Sequence, residues 1–568
     1  MNTAPESKPV SLLFSCGTRT TEGNRTGTWR FVRPVAAEKT APCSAACPAG
    51  EDIAAIEMLA ARGRWADAAE KILLENPFPS VCGRVCFRPC EAACNRGRFD
   101  EPVAVSQIER HIGDLTGAAA VKRFAAGAEP VRVAVIGAGP AGLAAAFFLA
   151  RLGHRCRVLE ASASPGGLPR WAIPSYRLPE PALKRDLARI EALGVNVSCN
   201  TRIDAGTAKT LSAEYDAVFF ACGQARPLSL GIEGEAHAID GIDFLAAVRA
   251  GRAPRIGGSV AVIGGGNTAV DAARCLLRLG AQPVIIYRRR RRDMPAFAPE
   301  LSMALEEGVE LRTLQAPVRL TPRGDRIAAV FLQTQPVGNG PGGRVRVAPV
   351  DGSETESVFD AVVSAVGARP QSAFAAPEDA RDFGHCRIAF GTPLRLWGGD
   401  VSNANRSVAD AVGSGKAAAL AVDAFFGSGV EAVQKAFADC RTGDGPALSF
   451  ERYAGGMRQR QARKVVGFDD LRCDYFTPAP RVGPPVCPVN ERKNDFSEVI
   501  AGLPEVSAQR EANRCFNCGI CNDCDNCRVF CPDMAVTAGE GGRRFLSEYC
   551  KGCGICVSEC PRCALGLS

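Results

Sequence analysis

Four cysteines stand close together at Cys550, Cys553, Cys556 and Cys560, spaced C-x2-C-x2-C-x3-C and followed by Pro561. The same spacing occurs upstream at Cys521, Cys524, Cys527 and Cys531, followed by Pro532. In such runs the first three thiolates wrap one [4Fe–4S] cube, and the fourth reaches across to the other cluster. The spacing predicts one cluster on Cys521, Cys524, Cys527 and Cys560, and a second on Cys550, Cys553, Cys556 and Cys531. Zinc needs four ligands and buried free thiols need no spacing at all, so two interlocked runs favour iron–sulfur. A second register stays open. "CFNCGIC" (Cys515 to Cys521) matches "CKGCGIC" (Cys550 to Cys556) and would make Cys515 and Cys518 ligands. The later set keeps the three-residue gap before the last cysteine and is preferred. Cys563 has no assignment in either register.

Two further stretches point to phosphates. "VRVAVIGAGPAGLAAAFFLARLGHRCRVLE" reads strand, glycine turn, helix, strand. Gly137 permits the tight turn, Gly139 lets a pyrophosphate approach the backbone, and Gly142 lets the helix pack closely. Glu160 ends the second strand and is placed to take the ribose hydroxyls. "SVAVIGGGNTAVDAARCLLRLGAQPVIIYRRRRRD" repeats the pattern with Gly264, Gly266 and Ala269. Here the position of the acid is Tyr287, followed by Arg288 to Arg292. Arginine at that place suits the 2′-phosphate of NADP, with Arg288 and Arg289 as its ligands; a solvated basic run and a nucleic-acid patch are the other readings. Two such turns imply two dinucleotides, FAD on the first and NADP(H) on the second. "YDAVFFACGQARP" and "FDAVVSAVGARP" each run a strand into a glycine, Gly223 and Gly367, where the chain would cross between the two domains. Near Gly399 and Asp400 a short strand leads into a helix, with the acid set to meet the flavin's ribityl chain.

The whole chain must be large enough to hold these parts. It has 568 residues, 46% hydrophobic and 23% charged, which is ordinary for a globular protein. Its net charge of +7 is mild and gives no case for nucleic acid. The 26 cysteines are the outlier; in so large a chain they point to metal and a reducing compartment rather than a disulfide scaffold. The start, "MNTAPESKPVSLLF", shows no signal peptide, and "AGLAAAFFLARLG" is too short to span a bilayer. A cytoplasmic protein without a membrane span is expected. No C-x-x-C or C-x4-C pair follows the flavin fold, which argues against a disulfide reductase.

The order of parts resembles the small (β) subunit of NADPH-dependent glutamate synthase and its relatives, which include the large subunit of ferredoxin:NADP transhydrogenase and the N-terminal half of dihydropyrimidine dehydrogenase. The resemblance rests on "NPFPSVCGRVCFRPCEAAC", "VIGAGPAGLAAA", "GGLPRWAIPSYRLP", "GGGNTAVDAAR", "YRRRRRDMPA" and "GGDV", between about residues 40 and 425. It implies FAD in the first fold, with Gly167 and Arg177 from the third motif beside it, a nicotinamide nucleotide in the second, with Asn267 at its turn, and iron–sulfur clusters in an N-terminal helical domain. It also implies that Cys47, Cys86, Cys90 and Glu109 hold a cluster near the flavin. Cys43 and Cys94 would belong to a second cluster, but two earlier cysteines of the family's first run are absent here, which leaves that set incomplete; Cys16 and Cys82 have no spacing that repairs it. Three [4Fe–4S] clusters are expected in all. The C-terminal ferredoxin extension is similar to that of variants accompanying sulfite reductase, 2-oxoacid:ferredoxin oxidoreductases or enzymes of anaerobic aromatic degradation.

The expected architecture is α/β: two Rossmann-like dinucleotide-binding domains, preceded by a helical iron–sulfur domain and followed by a ferredoxin-like α+β domain. The expected bounds are 1–128 for the helical domain with an N-terminal arm, 129–252 and 361–430 for the FAD domain, 253–360 for the NAD(P)H domain, 431–510 for a linker and 511–568 for the ferredoxin domain. The expected activity is that of an NAD(P)H:ferredoxin or acceptor oxidoreductase, within a hetero-oligomeric complex with ferredoxin or a partner oxidoreductase subunit. The alternative is a glutamate synthase small subunit feeding an amidotransferase. No side chain is assigned acid–base catalysis, because the cofactors carry the chemistry.

Overall fold

The computed structural model describes residues 31–117, 121–124, 129–224, 226–340, 343–371, 374–403, 405–539 and 542–568. Most of the expected N-terminal arm, and Cys16 with it, lies outside them. The strand Arg132–Ile136 is apolar and buried along all but its first residue, as a strand covered on both faces must be. It lies at the heart of a seven-stranded sheet. Its parallel neighbours are Arg155–Leu159 on one side and Ala217–Phe220 on the other. Leu394–Gly398 extends the parallel run beyond Ala217–Phe220, and an antiparallel edge finishes that side. The small-residue helix Pro140–Arg151 packs on the long helix Val408–Asp439. The two backbones approach so closely that a Cβ on Gly415 would come within 2.2 Å of the Ala141 carbonyl oxygen.

A second, wholly parallel sheet has the order Glu310–Thr313, Gln282–Tyr287, Ser259–Ile263, Ala361–Ser364, Ile239–Asp240. Ile239–Asp240 precedes residue 253 and Ala361–Ser364 follows residue 360, so the expected bounds of 253–360 are too narrow on both sides. The chain crosses between the sheets at the short antiparallel pair of Arg226–Pro227 with Ala368–Arg369, just after Gly223 and Gly367. Pairing of Ala361–Ser364 beside Ser259–Ile263 decides the matter, and no local signal in the sequence records it.

The N-terminal helices begin repeatedly on proline, at Pro42, Pro79 and Pro89, where the missing N–H costs nothing. Cys82 to Cys94 therefore do not lie on one helix: Pro79–Val85 ends at Cys86, Arg88 takes a left-handed conformation with φ 58°, and Pro89 starts a new turn.

Residues 431–510 are not a free linker. The helix Val408–Asp439 runs on through a kink at Ser428 and Gly429. Beyond it the segment ties the domains together: Arg481 donates to Glu91 at 2.6 Å, Arg492 to Glu307 at 3.0 Å, and the Val499 N–H to the Tyr176 carbonyl at 3.0 Å. In the tail, a hairpin of Val536–Gly539 with Gly542–Phe545 accompanies two four-residue helices. The last strand, Leu565–Leu567, pairs antiparallel with Pro34–Ala36. Pro34–Ala36, near the start of the described residues, and Leu565–Leu567 thus share one ribbon. No helix among the described residues is long and apolar enough to cross a membrane.

Candidate functional site

Each glycine turn sits between its strand and helix. At the first, a Cβ on Gly142 would come within 1.9 Å of the Gly137 oxygen, and one on Gly167 within 2.7 Å of the Gly139 Cα. Gly139 caps the helix that follows. The Glu160 carboxylate accepts the backbone N–H groups of Ala138 and Ser162, each at 2.7 Å, which fixes it beside the turn. Gly399 donates its N–H to Ser414 Oγ at 2.8 Å. Asp400 next to it is pushed up to about 6 by burial, partly offset by the Arg406 charge.

At the second turn, Gly266 caps the helix Asn267–Arg278, Ala269 is fully buried, and Asn267 Oδ1 accepts the Phe297 N–H at 2.8 Å. The Tyr287 ring lies on Gly265 so closely that a Cβ there would come within 2.4 Å of it. A cavity of about 1330 Å³ opens from this turn. Arg288, Arg289, Arg292 and Arg344 line it, as do Gly367, Asp400, Arg406 and Cys47. Gly137, Gly139, Gly142 and Glu160 of the first turn are not among its lining residues. Burial, and then the charges of Arg289 and Arg344, lower the Arg288 value, so the cluster favours an anion. Arg344 carried no motif and only the fold brings it here. Arg177 does not line this cavity. It is buried in an ion pair with Asp271 at 2.7 Å and stands 3.4 Å from Glu300.

Fifteen of the described cysteines gather in four groups. Cys527 has Cys521, Cys524 and Cys560 as its charge neighbours. Cys531, Cys550, Cys553 and Cys556 line one small cavity in the tail. Cys47, which lines the large cavity, meets Cys86 and Cys90, with Glu109 beside Cys47 and Cys86. The fourth group is Cys43 and Cys94 with Cys515 and Cys518. None of the described cysteines forms a disulfide. No three Cys, His, Asp or Glu side chains among the described residues close around a single-ion point. The ligands of a cube stand apart by the width of the cube, so this does not count against a cluster.

Two features test whether these groups fit clusters. Burial pushes three of these thiols up: Cys86 to about 12, with the Glu109 carboxyl adding to it, Cys527 to about 12 and Cys556 to about 11. Such thiols need a bound cation to become thiolates. Backbone N–H groups also point at sulfur, as cluster thiolates require. Arg88 donates to Cys86 at 3.4 Å, Asn517 to Cys515 at 3.3 Å, Ala564 to Cys560 at 3.3 Å, Gly552 to Cys550 at 3.4 Å and Ala535 to Cys531 at 3.3 Å. The donor sets fit.

Glu109 has a companion that the sequence did not reveal. Asn76 Nδ2 donates to Glu51 Oε1 at 2.7 Å and to Glu109 Oε1 at 3.0 Å. Burial, then the nearby Glu51 charge, push the Glu109 carboxyl well above the usual range. Glu51 follows directly after Gly50 in the loop behind Cys47, a position with no motif to mark it.

Residues 131–382 match the family model described as pyridine nucleotide-disulphide oxidoreductase, and residues 35–121 match dihydropyrimidine dehydrogenase domain II, 4Fe-4S cluster. The chain is 33% identical over 541 residues to the NADP(+)-dependent formate dehydrogenase subunit beta of Moorella thermoacetica, covering 88% of this chain and 72% of that one. It is 38% identical over 348 residues to the NADPH-Fe(3+) oxidoreductase subunit beta of Geobacter sulfurreducens, where it spans 52% of the relative and the match covers 59% of this chain. It is 31% identical over 390 residues to the NAD-dependent dihydropyrimidine dehydrogenase subunit PreT of Escherichia coli, covering 67% of this chain and 90% of that one.

Proposed function

The chain belongs to the family of NAD(P)H-dependent oxidoreductase subunits that carry FAD and iron–sulfur clusters, and on that premise we propose that it exchanges electrons between NADPH and a partner oxidoreductase subunit or ferredoxin. The observation that carries this reading is a cavity lined by Arg288 and Arg289 beside the second glycine turn and also by Cys47. FAD and a nicotinamide nucleotide, when bound, would supply hydride transfer, and iron–sulfur clusters would supply single-electron transfer. The chain's own residues bind and orient. Gly264 and Gly266 open the second turn to a pyrophosphate, and Arg288 and Arg289 offer guanidinium to a 2′-phosphate. Gly137, Gly139, Gly142 and Glu160 hold the adenosine half of FAD, and Asp400 meets its ribityl chain. Cys47, Cys86, Cys90 and Glu109 would hold a cluster. Cys521, Cys524, Cys527 and Cys560, and Cys531, Cys550, Cys553 and Cys556, hold the two clusters nearest a partner.

The relatives named as beta subunits support a hetero-oligomeric setting. The motif likeness to the glutamate synthase small subunit supports a second reading, in which the partner is an amidotransferase. Two measurements test the proposal. Anaerobic NADPH should bleach the flavin absorbance faster and at lower concentration than NADH. Purification of the native complex should bring down a redox subunit; an amidotransferase in its place would favour the second reading, and an unbleached flavin would overturn both.

A further inference from the structure

The fourth cysteine group draws its members from opposite ends of the chain. Cys43 lies in the helix Pro42–Ala46, and Cys94 follows the helix Pro89–Ala92, which packs against it. Cys515 and Cys518 come from the stretch that leads into the ferredoxin tail. That stretch is bound to the helical domain along its length. Ala104 donates its N–H to Glu511 at 2.8 Å, and Arg514 pairs with Asp100 at 3.2 Å. Phe516 is buried against Phe99 and Phe476, with the Arg96 guanidinium 4.9 Å from its ring. Asn517 Nδ2 donates to the Ala54 carbonyl at 3.1 Å. Cys43 and Cys518 are buried in the main core, and Cys94 and Cys515 pack on it.

Two details mark the group as a site rather than as packing. Sulfur receives polar hydrogens: Asn95 Nδ2 points at Cys518 Sγ from 3.5 Å, and the Asn517 N–H at Cys515 Sγ from 3.3 Å. Glu57, 1% exposed, faces this group with both carboxyl oxygens lacking a hydrogen-bond partner among the described residues. A close-packed apolar core gives no reason to direct a carboxyl and two N–H groups at four thiols.

We propose that Cys43, Cys94, Cys515 and Cys518 hold a fourth [4Fe–4S] cluster, completed only when the tail segment docks on the helical domain. This rests on the reading of the chain as an iron–sulfur electron carrier. Four thiolates are a full ligand set for a cube. The two cysteines missing from the N-terminal run are thereby replaced by a pair from the far end of the sequence. The site adjoins Cys90 of the flavin-side group, and Cys521 of the tail follows Cys518 by one turn of chain, so it stands between the two. It also makes metal binding part of what fastens the tail to the body, because ligands from both ends must be in place at once.

The test uses full-length protein purified anaerobically, with iron, zinc, acid-labile sulfide and flavin measured per chain. Wild type should carry about 16 irons by ligand counting. The double variants Cys515→Ser/Cys518→Ser and Cys43→Ser/Cys94→Ser, which alter the site from opposite ends, should each lose about four irons and four sulfides. Both should keep full flavin and the electron paramagnetic resonance signals of the tail clusters. Cys487→Ser should lose nothing. About 12 irons in wild type with no loss in either double variant would overturn the proposal, as would zinc in place of iron. So would loss confined to the Cys515 and Cys518 variant, because that pair would then serve the tail. These readouts do not depend on NADPH. A flavin that fails to bleach would sink the proposed function while leaving the metal count to be read by itself.

Discussion

Tyr287 stands where a ribose-binding acid would stand in an NAD enzyme and covers the turn, and Arg288 and Arg289 follow it directly. Their cluster with Arg344 at the cavity wall presents positive charge that a 2′-phosphate would offset. Arg288→Ala/Arg289→Ala should weaken NADPH binding, at ~1.5–3 kcal/mol for each charge-assisted hydrogen bond removed and less at the more exposed Arg288. NADH binding should barely change. Titration of both nucleotides against flavin bleaching checks this, and an equal weakening for the two would assign the arginines to some other task. Glu109 poses a different residue-level question, because Glu51 shares Asn76 with it. If Glu109 is the fourth ligand near the flavin, Glu109→Ala should cost about four irons per chain while Glu51→Gln keeps them. The reverse result would move the ligand to Glu51.

Among the elements, those whose signal is local were readable from the sequence. A glycine turn needs its strand and helix within a few tens of residues, and the two tail runs carry their spacing on the surface of the sequence. What escaped was set by pairing between distant segments. Ala361–Ser364 reads as the return to the FAD sheet, but hydrogen bonds place it beside Ser259–Ile263. The proline-rich stretch reads as a tether, but Arg481, Arg492 and the Val499 N–H bind it to three different partners. Cys43 and Cys94 read as an incomplete set because their companions are hundreds of residues away in the chain. Truncation at two points separates these roles. Removing residues 522–568 should take away about 8 irons, whereas removing residues 511–568 should take away about 12, and NADPH should still bleach the flavin in both. Equal losses would mean that Cys515 and Cys518 hold nothing by themselves.

At the scale of the whole molecule, the helical domain, the FAD domain and the connecting segment meet on one carboxylate. Glu75 is fully buried and follows the helix Trp65–Leu73. It accepts from Lys416 on the long helix at 2.5 Å, from Arg458 at 3.2 Å and from the Phe450 N–H at 2.8 Å, with Ser449 Oγ closing the set. Burial by itself would raise its value, yet Lys416 and Arg458 together hold it below the ordinary 4.5; burial lowers Lys416 even so. A carboxylate whose folded value is depressed stabilises the fold fully above its unfolded value. That contribution is lost as pH falls through the folded one. Glu75→Gln would leave two cations buried without a counter-charge, a change that costs roughly 3–5 kcal/mol in such sites. The variant should therefore melt well below wild type near neutral pH. The gap between them should stay level on the alkaline side of about pH 4.5 and shrink as the pH drops below it. Thermal melts of the holoprotein across that range measure both quantities. Equal melting temperatures near neutrality, or a gap that widens on acidification, would show that the domains are held by apolar contact alone and that the charge cluster merely fits between them.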